Sequence, residues 1–281
     1  MMTVHTLYGL LTEKLQAVSD EAGTEARLII QDILSLSYTD FLLSKNRPVS
    51  DTEKQRAFSF LSERLSHKPL QYILGKWDFF GQSFFVGEGV LVPRPETEQL
   101  CEYVIEKLKK MENPIVYDLC SGSGCIGLTI KAQVPDSRVY LFEKSPEAMF
   151  YLERNRRNLG LARETVTVQG DILKGYDAFS CLPVPDVIVS NPPYIRSSEI
   201  ASLQPEVKNE PAMALDGGED GFLFYEAIAE KWLSKMKKGF AAVECGENQA
   251  SYIGSLFEKY SSETEIIKDF NDIDRIVAAL I

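Results

Sequence analysis

The chain has 281 residues, 44% hydrophobic and 25% charged, which is room for a sizeable core and two domains and excludes a disordered or fibrous chain. Its 41 acidic residues outweigh 30 Lys and Arg to give a formal net charge of −11, which disfavours non-specific attraction to a phosphate backbone. No apolar run approaches the ~20 residues that span a bilayer; the cysteines (Cys101, Cys120, Cys125, Cys181, Cys245) and the histidines His5 and His67 show no zinc spacing, so neither a membrane nor a bound metal is expected.

Over residues 5 to about 66, Leu7, Leu10, Leu11 and Leu15 hold helical spacing, as do Ala26, Ile29, Ile30, Ile33 and Leu34. Ser50-Asp51-Thr52-Glu53 supplies a helix start before Phe58, Leu61 and Leu65, and a small helical bundle is expected over residues 1–70. After Leu70-Gln71-Tyr72-Ile73-Leu74-Gly75, the aromatic and β-branched residues between Trp77 and Val92 are broken by Gly81 and Gly87-Glu88-Gly89, the pattern of a β-hairpin linker over 71–95. Pro93-Arg94-Pro95-Glu96-Thr97-Glu98 stops it and opens a helix carrying Leu100, Val104, Ile105 and Leu108.

From Pro114 strands alternate with helices, the signature of a parallel, doubly wound α/β sheet over 96–281. Strands are expected at 115–119, 138–142, 166–169, 186–190, 239–244, 265–268 and 274–279, the last two as a terminal antiparallel hairpin. Helices are expected at 124–133, 146–158, 221–235 and 248–259. The most basic stretch, 153–158 with Arg154, Arg156 and Arg157, reads as a solvated helix face. An odd cysteine count without a basic-then-apolar leader fits a reducing cytoplasm.

Chemistry concentrates at the strand ends. Cys120-Ser121-Gly122-Ser123-Gly124 follows the first strand and opens a helix, and its glycines let a ligand approach the backbone closely. About twenty residues on, Glu143 can hydrogen-bond the two hydroxyls of a ribose; after the third strand Asp171 can accept from an adenine amino group while Ile172 packs on the ring. NAD and S-adenosylmethionine both contain adenosine, so these features do not separate them. The fourth strand does, since it runs into Asn191-Pro192-Pro193-Tyr194. The Asn191 side-chain oxygen and the Pro192 carbonyl can each accept a hydrogen bond from one planar NH2 group, and Tyr194 offers a flat face to a conjugated amide or heterocycle. A dehydrogenase has no use for such a clamp; a methyltransferase must bring an acceptor nitrogen to the methyl of a sulfonium. Both histidines lie far in sequence from any serine or cysteine elbow, which argues against a Ser-His-Asp hydrolase.

With these motifs in place, the chain resembles the PrmC/HemK family of release factor glutamine methyltransferases essentially end to end, through Gln71-Tyr72-Ile73-Leu74-Gly75, the Pro93 to Glu98 segment, Asp118 to Gly124, Asn191 to Ile195, Glu210-Pro211 with Ala214-Leu215, and Asp269 to Arg275. The resemblance implies a five-helix N-terminal domain that helps bind the release factor, a β-hairpin linker, and a seven-stranded class I (Rossmann-like) methyltransferase domain. It implies methyl transfer from S-adenosyl-L-methionine to the side-chain amide nitrogen of the glutamine in a Gly-Gly-Gln loop. Cys120, Ser121, Gly122, Ser123, Gly124, Glu143, Asp171, Ile172 and Asn191 are then expected at the cofactor, Asn191, Pro192, Pro193 and Tyr194 at the glutamine, and Asn191, Pro192 and Tyr194 in catalysis. A cytoplasmic monomer acting on release factors, without direct nucleic-acid or membrane contact, is the matching expectation. Two residues depart from the family pattern: Glu143 stands where many relatives carry aspartate, and Cys120 replaces the glycine usual before the loop. The alternatives are an exocyclic-amine methyltransferase of nucleobases, which needs a basic channel, and a scaffold that kept the fold without the chemistry.

Overall fold

The structure, a computed structural model, describes residues 2–281, which divide into two compact units, 2–76 with 204–209, and 77–203 with 210–281. In the first unit the Thr3 hydroxyl caps α1 (Val4–Leu15), which pairs with α2 (Ala22–Leu34). After the short α3 (Tyr38–Leu43), Ser50 and Glu53 form a reciprocal capping box at the start of α4 (Asp51–Leu65). The stripe expected from spacing is the core: Leu7, Leu11, Leu15, Ala26, Ile29, Ile30 and Leu61 pack together. Leu70 and Leu74 join them from α5 (Leu70–Leu74), so this stretch is a fifth helix, closed by left-handed Gly75, and not part of an extended linker.

Arg64 is only 1% exposed in this bundle. It donates to both oxygens of Glu25 at 2.8 and 3.0 Å and to Glu206 at 2.5 Å. Asn209 donates to the His67 carbonyl at 3.0 Å. These bonds explain why residues 204–209, distant in sequence, belong to the first unit; a buried guanidinium is stable only with its donors matched to carboxylates.

The second unit starts with the hairpin β1 (Lys76–Phe79) and β2 (Gln82–Phe85), whose Phe79 and Phe84 rings are buried. Glu98 in α6 (Pro95–Leu108) accepts from the Phe80 N–H at 2.8 Å and fixes the hairpin to the helix. Beyond α6 lie β3 (Ile115–Leu119), α7 (Cys125–Gln133), β4 (Arg138–Glu143), α8 (Pro146–Asn158), β5 (Thr165–Gln169), β6 (Val187–Ser190), α9 (Leu223–Lys231), β7 (Phe240–Glu244), α10 (Ala250–Phe257), β8 (Glu263–Lys268) and β9 (Asp274–Leu280). The sheet order is β5-β4-β3-β6-β7-β9-β8. Pairing is parallel from β5 to β7, and β9 inserts antiparallel between β7 and β8, so the terminal hairpin is also stitched into the sheet.

Alternation along each strand builds two cores. Val116, Val187, Val189 and Ala242 face α6 and α7, whereas Tyr117, Ile188, Ala241 and Val243 face α9 and α10. Successive strands run outward in opposite directions from β3 and β6, and this switch point opens a crevice at their carboxyl ends.

Two further expectations are corrected. The helix expected over 221–235 ends at Lys231 and continues as a 3-10 turn, Leu233–Lys235, because Trp232 turns inward to donate its indole N–H to the Ile172 carbonyl at 2.9 Å. The basic stretch is not simply a solvated face. Arg156 is 7% exposed and donates to Thr165 and Glu153, and Asn155 is fully buried. Asn155 exchanges two hydrogen bonds with the Phe85 backbone and donates to the Ser123 carbonyl at 2.9 Å, tying hairpin, α8 and glycine loop together.

Candidate active site

At the switch point lies a cavity of about 270 Å³. Its floor is the β3–α7 loop, which turns through three left-handed residues, Cys120 (φ 64°), Gly122 (φ 55°) and Gly124 (φ 82°). Ser121 N–H donates to the Phe142 carbonyl at 2.8 Å, and Gly124 N–H donates to the Ser121 carbonyl at 2.7 Å. A Cβ on Gly124 would stand 2.3 Å from Leu152 Cδ1 on a left-handed backbone, so any other residue there is strained. Cys120 holds a side chain in the left-handed region at a conformational cost.

Glu143 ends β4 and is 8% exposed. One carboxylate oxygen accepts from Gly122 N–H at 2.8 Å; the other accepts from Lys144 and Ser145 N–H at 2.8 and 2.7 Å. Burial raises its pKa, against the lowering effect of those three donors. Asp171 follows β5, with one oxygen accepting from Leu173 N–H at 3.0 Å and the other paired with Lys144 at 2.9 Å. Ile172, 3% exposed, contributes an apolar wall.

At the end of β6, Asn191 donates through its Nδ2 to the Thr97 hydroxyl at 3.1 Å, and Thr97 donates in turn to the Glu244 carboxylate at 2.6 Å. Among the described residues no donor reaches Asn191 Oδ1 or the Pro192 carbonyl. The turn after them is held by Gln249, whose Nε2 donates to the Tyr194 carbonyl at 3.0 Å and whose Oε1 accepts from Gly246 N–H at 2.9 Å. The Tyr194 ring lies against Gly246, where a Cβ would meet ring carbon Cδ2 at 3.1 Å. Burial pushes its phenol up to about 12, so it stays protonated.

Cys120, Ser121, Gly122, Ser123, Glu143, Asp171, Ile172, Asn191 and Pro193 all line the cavity. Gly124, Pro192 and Tyr194 are not among the lining residues. Spacing missed the opposite wall, formed by Leu91, Val92 and Arg94 with Met213 and Phe224. Glu210 anchors that wall by accepting from Val92 N–H at 3.0 Å and from the Arg94 guanidinium. The segments containing Arg94, Thr97 and Glu210 were visible as motifs, but nothing in the sequence gave these residues partners; Phe224 carried no signal.

Residues 8–75 match the PrmC N-terminal domain and residues 96–252 the methyltransferase small domain. Over 262 residues, 90% of each chain, the protein is 36% identical to the release factor glutamine methyltransferase of Thermodesulfovibrio yellowstonii. It is 34% identical to that of Clostridium acetobutylicum, across 95% of this chain and 94% of the relative. The chain belongs to the release factor glutamine methyltransferase family. Among solved structures, the hMettl16 catalytic domain in complex with MAT2A 3'UTR hairpin 1 superposes with a TM-score of 0.57 at 13% identity, covering 89% of this chain and 90% of that one. At that identity the likeness concerns the class I methyltransferase fold.

Methyltransferases of this family use S-adenosylmethionine, and the cavity residues fit it. Gly122 is open toward the cavity side, the nearest atom to an added Cβ being Val90 Cγ2 at 3.9 Å, so the loop backbone is accessible to a ligand. The carboxylates of Glu143 and Asp171 offer hydrogen-bond acceptors along the cavity and Ile172 an apolar surface, the groups that hydroxyls and a heterocycle call for. Among the described residues no cluster of His, Cys, Asp and Glu could hold a metal ion, and no helix is long and apolar enough to cross a membrane.

Proposed function

We propose that the protein methylates the side-chain amide nitrogen of the glutamine in the Gly-Gly-Gln loop of release factors, using Asn191 Oδ1 and the Pro192 carbonyl as the two acceptors that hold that nitrogen. The observation supporting this reading is the orientation of Asn191: its NH2 is committed to Thr97, which leaves Oδ1 without a protein donor in a residue on the cavity wall. S-adenosylmethionine, when bound, supplies an electrophilic methyl group on a sulfonium. An amide lone pair is delocalised into its carbonyl and is a poor nucleophile, so the work of the protein is placement. Asn191 Oδ1 and the Pro192 oxygen each accept one N–H of the glutamine and fix the direction of its lone pair. Both bonds strengthen as positive charge grows on nitrogen, which lowers the barrier selectively. No general base is assigned, because the proton leaves a far stronger acid once nitrogen is alkylated.

In this proposal Glu143 holds the ribose hydroxyls, Asp171 and Ile172 the adenine, and the Cys120 to Gly124 loop the rest of the cofactor, while Pro193 and Tyr194 shape the turn that receives the glutamine. The helical bundle contributes to release-factor recognition, and the enzyme works as a cytoplasmic monomer without touching nucleic acid. Incubation with methyl-labelled S-adenosylmethionine and a release factor, DNA or RNA tests the assignment. Label on the glutamine of the Gly-Gly-Gln loop, located by mass spectrometry, is expected; label on a nucleobase amine would overturn it. Deleting residues 1–70 should impair a whole release factor more than a short Gly-Gly-Gln peptide, and equal losses would assign the bundle to stability.

A further inference from the structure

Resting on that reading, we infer that Thr97 and Glu244 form a directional relay that sets the orientation of the Asn191 carboxamide, and so act as positioning residues for the methyl acceptor. Thr97 is 2% exposed and Glu244 2% exposed, and neither is explained by packing alone, since a buried carboxylate is costly without a purpose or a partner. A hydroxyl has one hydrogen. When Glu244 is ionised it can only accept, so that hydrogen points to Glu244 over 2.6 Å. The Thr97 oxygen then has only lone pairs for Asn191, which must present its NH2 across the 3.1 Å contact and turn Oδ1 the other way. A carboxamide otherwise has two nearly isosteric orientations, and the flipped one would offer a donor to a substrate NH2, which is repulsive.

The protonation state of Glu244 controls the direction. A protonated Glu244 can donate to Thr97, which frees the hydroxyl hydrogen to point at Asn191 and favours the flipped amide. Burial pushes Glu244 up to about 7, so the switch falls near neutrality. The charged groups facing it are Arg94 and Glu96 at the start of α6 and Arg275 on β9; the thiols of Cys101, Cys125 and Cys245 and the phenols of Tyr194 and Tyr225 face it uncharged.

The test uses the full chain. Thr97→Val should lower kcat on a Gly-Gly-Gln peptide about tenfold or more while cofactor affinity stays within about threefold, and Thr97→Ser should restore kcat. Wild-type kcat should rise with pH through about 7, and Glu244→Gln should lose that limb. Independently of activity, the side-chain NH2 of Asn191 in 15N-labelled protein should show slowed solvent exchange that Thr97→Val abolishes and Thr97→Ser restores. If Thr97→Val does not fold, the Glu244→Gln pH profile and the Asn191 exchange in the wild type, which should quicken relative to a free carboxamide as pH falls through about 7, carry the test. Wild-type kcat in both variants, or an Asn191 amide signal unchanged by Thr97→Val, would overturn the relay. Absence of methyl transfer by the wild type would instead refute the proposed function, leaving the amide measurement to judge the relay.

Discussion

Replacing Asn191 by alanine removes one of two acceptors for the glutamine nitrogen and leaves the other, a backbone carbonyl, in place. The lost hydrogen bond becomes charge-assisted as the nitrogen turns cationic, and such bonds contribute about 1.5–3 kcal/mol. That corresponds to a fall in kcat of roughly ten- to 150-fold. The fold should tolerate the change, because Thr97 keeps its bond to Glu244 at 2.6 Å and forfeits only one neutral partner, a loss of about 1 kcal/mol. Cofactor contacts through Glu143 and the glycine loop are untouched, so the dissociation constant for S-adenosylmethionine should move by less than about threefold. The assay pairs single-turnover methyl transfer to a Gly-Gly-Gln peptide with calorimetric titration of the cofactor. Equal losses in rate and cofactor affinity would refute the reasoning, as would a rate that does not change.

Glu143→Ala should have the opposite profile, raising the cofactor dissociation constant about tenfold or more with a smaller effect on saturated kcat; titration and saturation kinetics separate the two. Gly124→Ala combines a left-handed φ of 82° with a Cβ 2.3 Å from Leu152, and should cost about 2–4 kcal/mol in chemical denaturation. Arg64→Ala strands the buried Glu25 and should destabilise the helical bundle by about 3–5 kcal/mol, whereas unaltered melting would show the ion cluster to be dispensable. Asp118 is fully buried with one oxygen unpaired, and burial raises its carboxyl from 3.8 to about 7. The folded state therefore holds that proton more tightly than the unfolded chain; the associated stability is complete below about pH 4 and is lost as pH rises through about 7, by roughly 4 kcal/mol. Asp118→Asn should flatten the melting temperature over this range, and a variant whose profile parallels the wild type would contradict the assignment.

Period and punctuation made most of the methyltransferase domain legible. Strand and helix cores such as 115–119 and 146–158 were placed because fully buried parallel strands read as apolar runs and Pro146 sits where a helix begins. The helical bundle was legible as stripes, yet its boundary was not, since Leu70 and Leu74 look the same whether they close a bundle or start a linker. Local patterns also could not show that residues 204–209 return to Arg64, because a charge partner 142 positions away leaves no periodic trace. Charge in the 153–158 stretch suggested solvent, but Arg156 is buried where backbone carbonyls of Ala162 and Thr165 converge on it. At the site, glycine spacing and the Asn191 turn identified the floor and one wall. The Thr97–Glu244 connection joins two segments that meet only through the sheet order, so no spacing could reveal it.

The most direct test is a crystal structure of the enzyme with S-adenosylhomocysteine and a Gly-Gly-Gln peptide. The glutamine nitrogen should lie about 3 Å from both Asn191 Oδ1 and the Pro192 carbonyl oxygen, on the line extended from the cofactor sulfur. A nitrogen bound elsewhere, or an Asn191 amide whose NH2 faces the peptide, would contradict the account.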